Sequence, residues 1–167
     1  MTEFRKGWRK VVALRKRGAV LWTIGYSNRS IEQFVALLEK HKIEALVDIR
    51  SFPTSKIEHF KREEMERWLP EYGIEYIWLG KELGGYRRGG YEAHMKTELF
   101  IEGVEKLLEF ARRRRVCIMC MEKNPKYCHR RFLTAYLERK GVEVIHILDK
   151  GQVGLMKFKD IIVENRL

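Results

Sequence analysis

Short, nearly continuous apolar runs recur along the chain: AVLWTI (19–24), IEALVDI (43–49), IEYIWL (74–79), VCIMCM (116–121) and VEVIHIL (142–148). Each is rich in β-branched residues and too short for a helix, which predicts five strands covered on both faces. Between them, segments 31–41, 62–72, 97–113 and 128–140 place apolar residues three and four apart, which predicts four helices with one buried stripe each. Alternation of the two patterns predicts a mainly parallel sheet with right-handed crossovers, a three-layer, Rossmann-like α/β domain with strand order 3-2-1-4-5. Local punctuation fits that plan. Ser30 and Gln33 have the spacing of a capping box, and Gly141 stands where the fourth helix must stop. The stretch KELGGYRRGGYEAHMK (81–96) has four glycines and no clear period, so it reads as a lid or binding loop.

Composition narrows the class. A chain of 167 residues, 45% apolar, suffices for one domain with a sizeable core, placed at 19–167. The net charge of +11 is uneven, because residues 1–18 hold seven Lys/Arg against Glu3 alone. That basic arm has Phe4, Trp8, Val11 and Val12 at helical spacing. It suits packing on its own domain or on a partner subunit, and it also suits a phosphate backbone or an anionic surface. No run approaches the ~20 apolar residues of a membrane span, so a cytoplasmic protein with reduced thiols is expected. Two Gln and three Asn among abundant Glu, Lys and Arg lean towards a thermophilic source. Nothing in the pattern names a cofactor or an oligomeric state.

Candidate chemistry gathers where the strands end, since open parallel sheets bind ligands beyond the carboxyl ends of their strands. Those ends read Gly25-Tyr26-Ser27, Asp48-Ile49-Arg50 and Cys120-Met121-Glu122. With strands one and four adjacent, their loops share one cleft. Strand alternation puts Cys120 and Glu122 on one side and Cys117 with Met119 on the other, which assigns Cys117 to the core. Cys128 fits a helix stripe with Phe132, Ala135 and Tyr136, which favours packing. A place in the first helical turn beside His129 and Arg130 instead favours a low-pKa thiolate. Of the two, Cys120 is expected to matter more to the pocket, as a poor nucleophile that shapes it. No metal site is expected, because adjacent Cys128 and His129 do not reach one ion and the cysteine spacing is wrong for zinc. An anion loop is disfavoured because Arg130 lies ten positions after Cys120. A dinucleotide fingerprint requires three glycines where only Gly25 stands.

Together the motifs TIGYSNRS, LVDIRSFPTS, LGG, YEAHM and MCMEKNPKYCHR resemble the family catalogued as domain of unknown function 488, over about residues 20–147. The resemblance implies a compact α/β domain but no reaction. It marks Gly25, Ser27, Asp48, Arg50, Pro53, Ser55, Gly84, Gly85, Tyr91, Cys120, Glu122, Pro125, Cys128, His129 and Arg130. Tyr26 stands where the family usually has histidine.

The expectation is an enzyme or ligand-binding domain whose cleft takes an anionic small molecule or a nucleic-acid phosphate. Arg50 and Arg130 would neutralise the phosphate, Ser27 would donate to it, and Asp48, Glu122 and His129 would supply acid–base capacity. Two alternatives remain: a non-catalytic nucleic-acid-binding module using the arm, Arg87-Arg88 and Arg112 to Arg115, and a thiol-redox protein.

Overall fold

The computed structural model describes residues 19–149 and 152–154. The basic arm, residues 1–18, lies outside the described residues, as do residues 150–151 and 155–167. The five apolar runs form parallel strands: β1 (Val20–Gly25), β2 (Ala45–Asp48), β3 (Glu75–Trp78), β4 (Val116–Cys120) and β5 (Glu143–Asp149). A short sixth strand, β6 (Gln152–Gly154), pairs antiparallel with β5. Helices α1 (Ile31–Lys40), α2 (Arg62–Trp68), α5 (Glu98–Arg113) and α6 (Arg130–Arg139) connect them. Two single-turn helices, α3 (Gly80–Leu83) and α4 (Tyr91–His94), lie within or beside the stretch expected to be a loop.

The sheet order is 3-2-4-1-5-6, which corrects the expected 3-2-1-4-5: β4, not β1, lies beside β2. Both candidates for the centre are continuous apolar runs, so hydrophobicity does not rank them. The crossovers decide. The chain steps over one strand in going from β1 to β2, from β3 to β4 and from β4 to β5. It leaves β1 towards one edge and β4 towards the other, so a crevice opens at the carboxyl ends of these adjacent strands. Gly25 pairs with Cys120 at that end.

Side-chain alternation divides the core into two layers. Leu21, Val47, Ile118 and Cys120 pack under α5 and α6, against Phe100, Leu107, Leu133 and Leu137. Trp22, Leu46, Cys117 and Met119 pack under α1 and α2, against Phe34, Leu38, Met65 and Trp68. Helix boundaries follow local chemistry. Ser30 and Gln33 form the capping box of α1, and Thr97 Oγ1 accepts the Phe100 N–H at the start of α5. The expected 62–72 helix tightens into a 3₁₀ turn at Leu69–Tyr72, where Pro70 brings no N–H to the ladder. The last helix starts at Arg130, two residues after Cys128.

Candidate active site

Tyr26, Arg50, Cys120 and Glu122 reach the carboxyl edge of the sheet from three strand ends. Gly85 and Tyr86 close a wall, and Cys128 and His129 come from the turn before α6. Together these line a cavity of about 480 Å³. Its mouth is aromatic: Phe52, Tyr86 and Tyr127 are 64%, 75% and 75% exposed, and the Phe52 and Tyr86 rings are 5.4 Å apart.

Beneath the cavity sits an arginine–aspartate pair. Asp48 is fully buried and grips Arg50 bidentately, with Nε to Oδ1 at 2.9 Å and Nη2 to Oδ2 at 2.7 Å. The Arg50 backbone N–H and the Tyr76 hydroxyl also donate to this carboxylate. Burial opposes the Arg50 charge, but the hydrogen bonds and charge of Asp48 outweigh it and raise the guanidinium above its ordinary value. Arg50 Nη1 bonds the Thr54 carbonyl, and the guanidinium lies over the Tyr26 ring. Asp48 thus holds Arg50 in place from one layer below the cavity.

A second arginine governs the thiols. Cys128 has extended backbone and sits at the end of a 3₁₀ turn, Pro125–Tyr127. Its sulfur accepts the Arg130 backbone N–H at 3.2 Å and Arg130 Nε at 3.4 Å. Arg130 is 1% exposed; its Nη1 donates to Thr23 Oγ1 at 3.0 Å and its Nη2 to the Glu122 carbonyl. Thr23 Oγ1 also shares a hydrogen bond with His146 Nδ1, 2.6 Å away. No carboxylate pairs with Arg130 among the described residues. A buried cation without a counter-ion is costly by several kcal/mol, and the acceptor positioned to carry the opposite charge is the Cys128 sulfur. The hydrogen bond from the Cys120 thiol, with help from His129 and Arg130, holds Cys128 far below the usual thiol range despite its burial. Cys120 moves the other way: burial, and then its role as donor to Cys128, push its thiol up. Cys117, fully buried in the opposite layer, is also pushed up by burial.

His129 completes the arrangement. Its Nε2 bonds the Ile49 carbonyl at 3.1 Å, which fixes a proton there and turns Nδ1 towards Cys128, 4.0 Å from the sulfur. Tyr91 backs the imidazole, ring to ring at 5.4 Å, and its hydroxyl bonds the Leu83 carbonyl. A Cβ built on Gly85 would stand 2.6 Å from His129 Nδ1, so only glycine leaves the ring its place. A Cβ on Gly25 would stand 1.8 Å from the Glu122 carbonyl oxygen, so β1 and the loop after β4 touch backbone to backbone.

Not every marked residue joins the cavity. Ser27 takes a left-handed conformation, φ 48°, and turns into a separate cavity of about 430 Å³ with Arg29, Lys123 and Asp149. Ser55 caps the Ile57 N–H in its own loop. Gly84 packs on Ser51, and Tyr91 stands behind His129. Glu122 lines the cavity and gives its backbone carbonyl to Arg130. Cys128, expected to pack along a helix stripe, sits ahead of the helix, because the Pro125 turn delivers it in extended backbone with its sulfur on the first free N–H. Sequence reasoning missed Thr23 and His146, although each is a polar residue inside an apolar strand. It also missed the rim of Phe52, Tyr86 and Tyr127, for which no sequence signal existed.

Fold and site together define a mainly parallel α/β protein with two cysteines in the cavity at its switch point. The chain belongs to the family described as Domain of unknown function DUF488, whose profile matches residues 30–137. No curated protein and no solved structure matches it.

Proposed function

We propose that this protein is a cysteine-dependent enzyme in which the Cys128 thiolate attacks an electrophilic centre of a substrate held in the cavity. The observation that carries the reading is the buried Arg130 guanidinium, answered by Cys128 sulfur and by no carboxylate among the described residues. Arg130 keeps the nucleophile ionised, and His129 Nδ1 stands ready to exchange a proton with it. Cys120 lines the same cavity from the strand end. Glu122, on the cavity wall, is the remaining acid–base candidate.

Both guanidiniums expected to neutralise a phosphate, those of Arg50 and Arg130, are bonded to the protein itself, which disfavours that role. Nor do the basic runs favour a nucleic-acid module. Arg112 and Arg113 pair with Glu109, Arg114 pairs with Glu75, and Arg87 bonds the Gly84 and Lys81 carbonyls.

Iodoacetamide labelling resolved by peptide mass tests the proposal. Cys128 should react first, at a rate nearly constant from about pH 8.5 down through neutrality, whereas an ordinary thiol loses about tenfold per unit in that range. Labelling of Cys128 that tracks an ordinary thiol titration would remove the thiolate and the proposal with it.

A further inference from the structure

From the placement of two cysteines in the lining of one cavity, we propose that Cys120 and Cys128 form a dithiol–disulfide couple, and that the substrate reacts through sulfur, by thiol–disulfide exchange. This rests on Cys128 being the reactive thiolate. It adds that Cys120 is the resolving thiol.

Cys120 ends β4, Cys128 follows a seven-residue turn, and both line the same cavity. Both cysteines belong to the same buried cluster, and Arg130 bonds the Cys128 sulfur through its backbone N–H and its Nε. The third cysteine is no competitor, since Cys117 lies in the opposite layer under α1 and α2. A disulfide needs the two sulfurs brought to about 2.05 Å. The intervening turn has an exposed Met121 and an exposed Tyr127 and holds one 3₁₀ turn, so its surface position leaves room for that approach.

The chemistry balances as follows. The Cys128 thiolate attacks one sulfur of a substrate disulfide; the substrate S–S bond breaks and the departing thiolate takes the Cys120 proton. Cys120, now ionised beside Arg130, attacks the Cys128 sulfur of the mixed disulfide. The second substrate thiolate leaves and takes a proton from water. Two electrons pass from the protein dithiol to the substrate. A small-molecule thiol, acting as co-reductant, then reopens the Cys120–Cys128 bond. The same arginine serves both sulfurs in turn, since once Cys128 is bonded its counter-charge falls to Cys120. A stabilised Cys128 thiolate is also a good leaving group, which speeds that reopening.

The test treats the reduced full-length chain with excess glutathione disulfide and reads intact and peptide masses. Wild type should lose two hydrogens, with the peptides of Cys120 and Cys128 linked and no lasting glutathione adduct. Cys120→Ser and Cys120→Ala should each hold one glutathionyl group on Cys128, and Cys128→Ser should take none quickly. A wild-type protein that keeps a glutathionyl group on Cys128 with Cys120 still reduced overturns the couple while leaving the nucleophile standing. The same holds for a link made by Cys117. No adduct and no link, with slow alkylation of Cys128, overturns both readings.

Discussion

A hydroxyl inside an apolar strand is costly unless it is bonded, and Thr23, fully buried in β1, is bonded on both sides, to Arg130 and His146. It holds the guanidinium that holds the thiolate, so it positions without touching the reacting atoms. Thr23→Val keeps the shape and removes both bonds. Stability should fall by about 1–3 kcal/mol, and the pKa of Cys128 should rise as Arg130 loses its anchor. Thr23→Ser should restore most of both. Urea midpoints and thiolate ultraviolet absorbance against pH measure the pair; a Val variant with an unmoved thiol titration would show that Arg130 is held without Thr23. A threonine in AVLWTI and a histidine in VEVIHIL were visible in the sequence as polar residues in apolar runs. That they meet, 123 residues apart, required knowing that β5 lies beside β1. Ser27 shows the opposite case. Its place after β1 was legible, but its left-handed turn, which sends it to another cavity, has no counterpart in residue spacing.

Among the elements, the connection between β3 and α5 does more than its sequence suggested. Gly84 and Gly85 lie against the site, and Gly85 sets where the His129 ring can rest. Gly85→Ala should displace that ring and slow Cys128 alkylation. The crowding should cost about 1–3 kcal/mol, which for a chain of this size lowers Tm by roughly 2–4 °C per kcal/mol. Thermal melts alongside alkylation rates separate the two effects; an unchanged rate would show that His129 does not assist the thiol. The strands and the α5 stripe of Phe100, Val104, Leu107 and Leu108 were legible because burial on both faces forces continuous apolar runs and burial on one face forces a 3.6-residue period. Strand order was not, because β1 and β4 carry the same signal. The start of α6 was misplaced because Cys128, Phe132, Ala135 and Tyr136 keep helical spacing although the Pro125 turn delays the helix to Arg130. β6 is too short to show a period.

Across the whole molecule, Arg130 ties β1, the loop after β4 and the turn before α6 to the Cys128 sulfur. The depressed Cys128 pKa therefore contributes to folding stability. Above the unfolded thiol pKa, about 8.5, the thiolate is present in both states and the contribution is complete. As pH falls below that value, the unfolded chain binds a proton that the folded chain does not, and stability is lost progressively down to the folded pKa. Cys120 has the opposite sign: its raised pKa removes stability as pH climbs past the unfolded value. The stability difference between wild type and Cys128→Ser should thus shrink by up to about 1.4 kcal/mol per pH unit below about pH 8.5. Urea midpoints across that range check it, and a pH-independent difference would show that the thiol is neutral in the fold. One backbone feature reaches further. After β1 ends, the Tyr26 and Ser27 N–H groups go on bonding the Cys120 and Met121 carbonyls, both at 2.9 Å, and Gly25 admits no side chain between the two segments. These loop amides should trade hydrogen for deuterium as slowly as those of the central strands, opening only when the entire molecule unfolds. Measured residue by residue, the floor of the cavity would then emerge as a continuation of the sheet's most slowly opening unit, while the aromatic mouth above it exchanges with solvent freely.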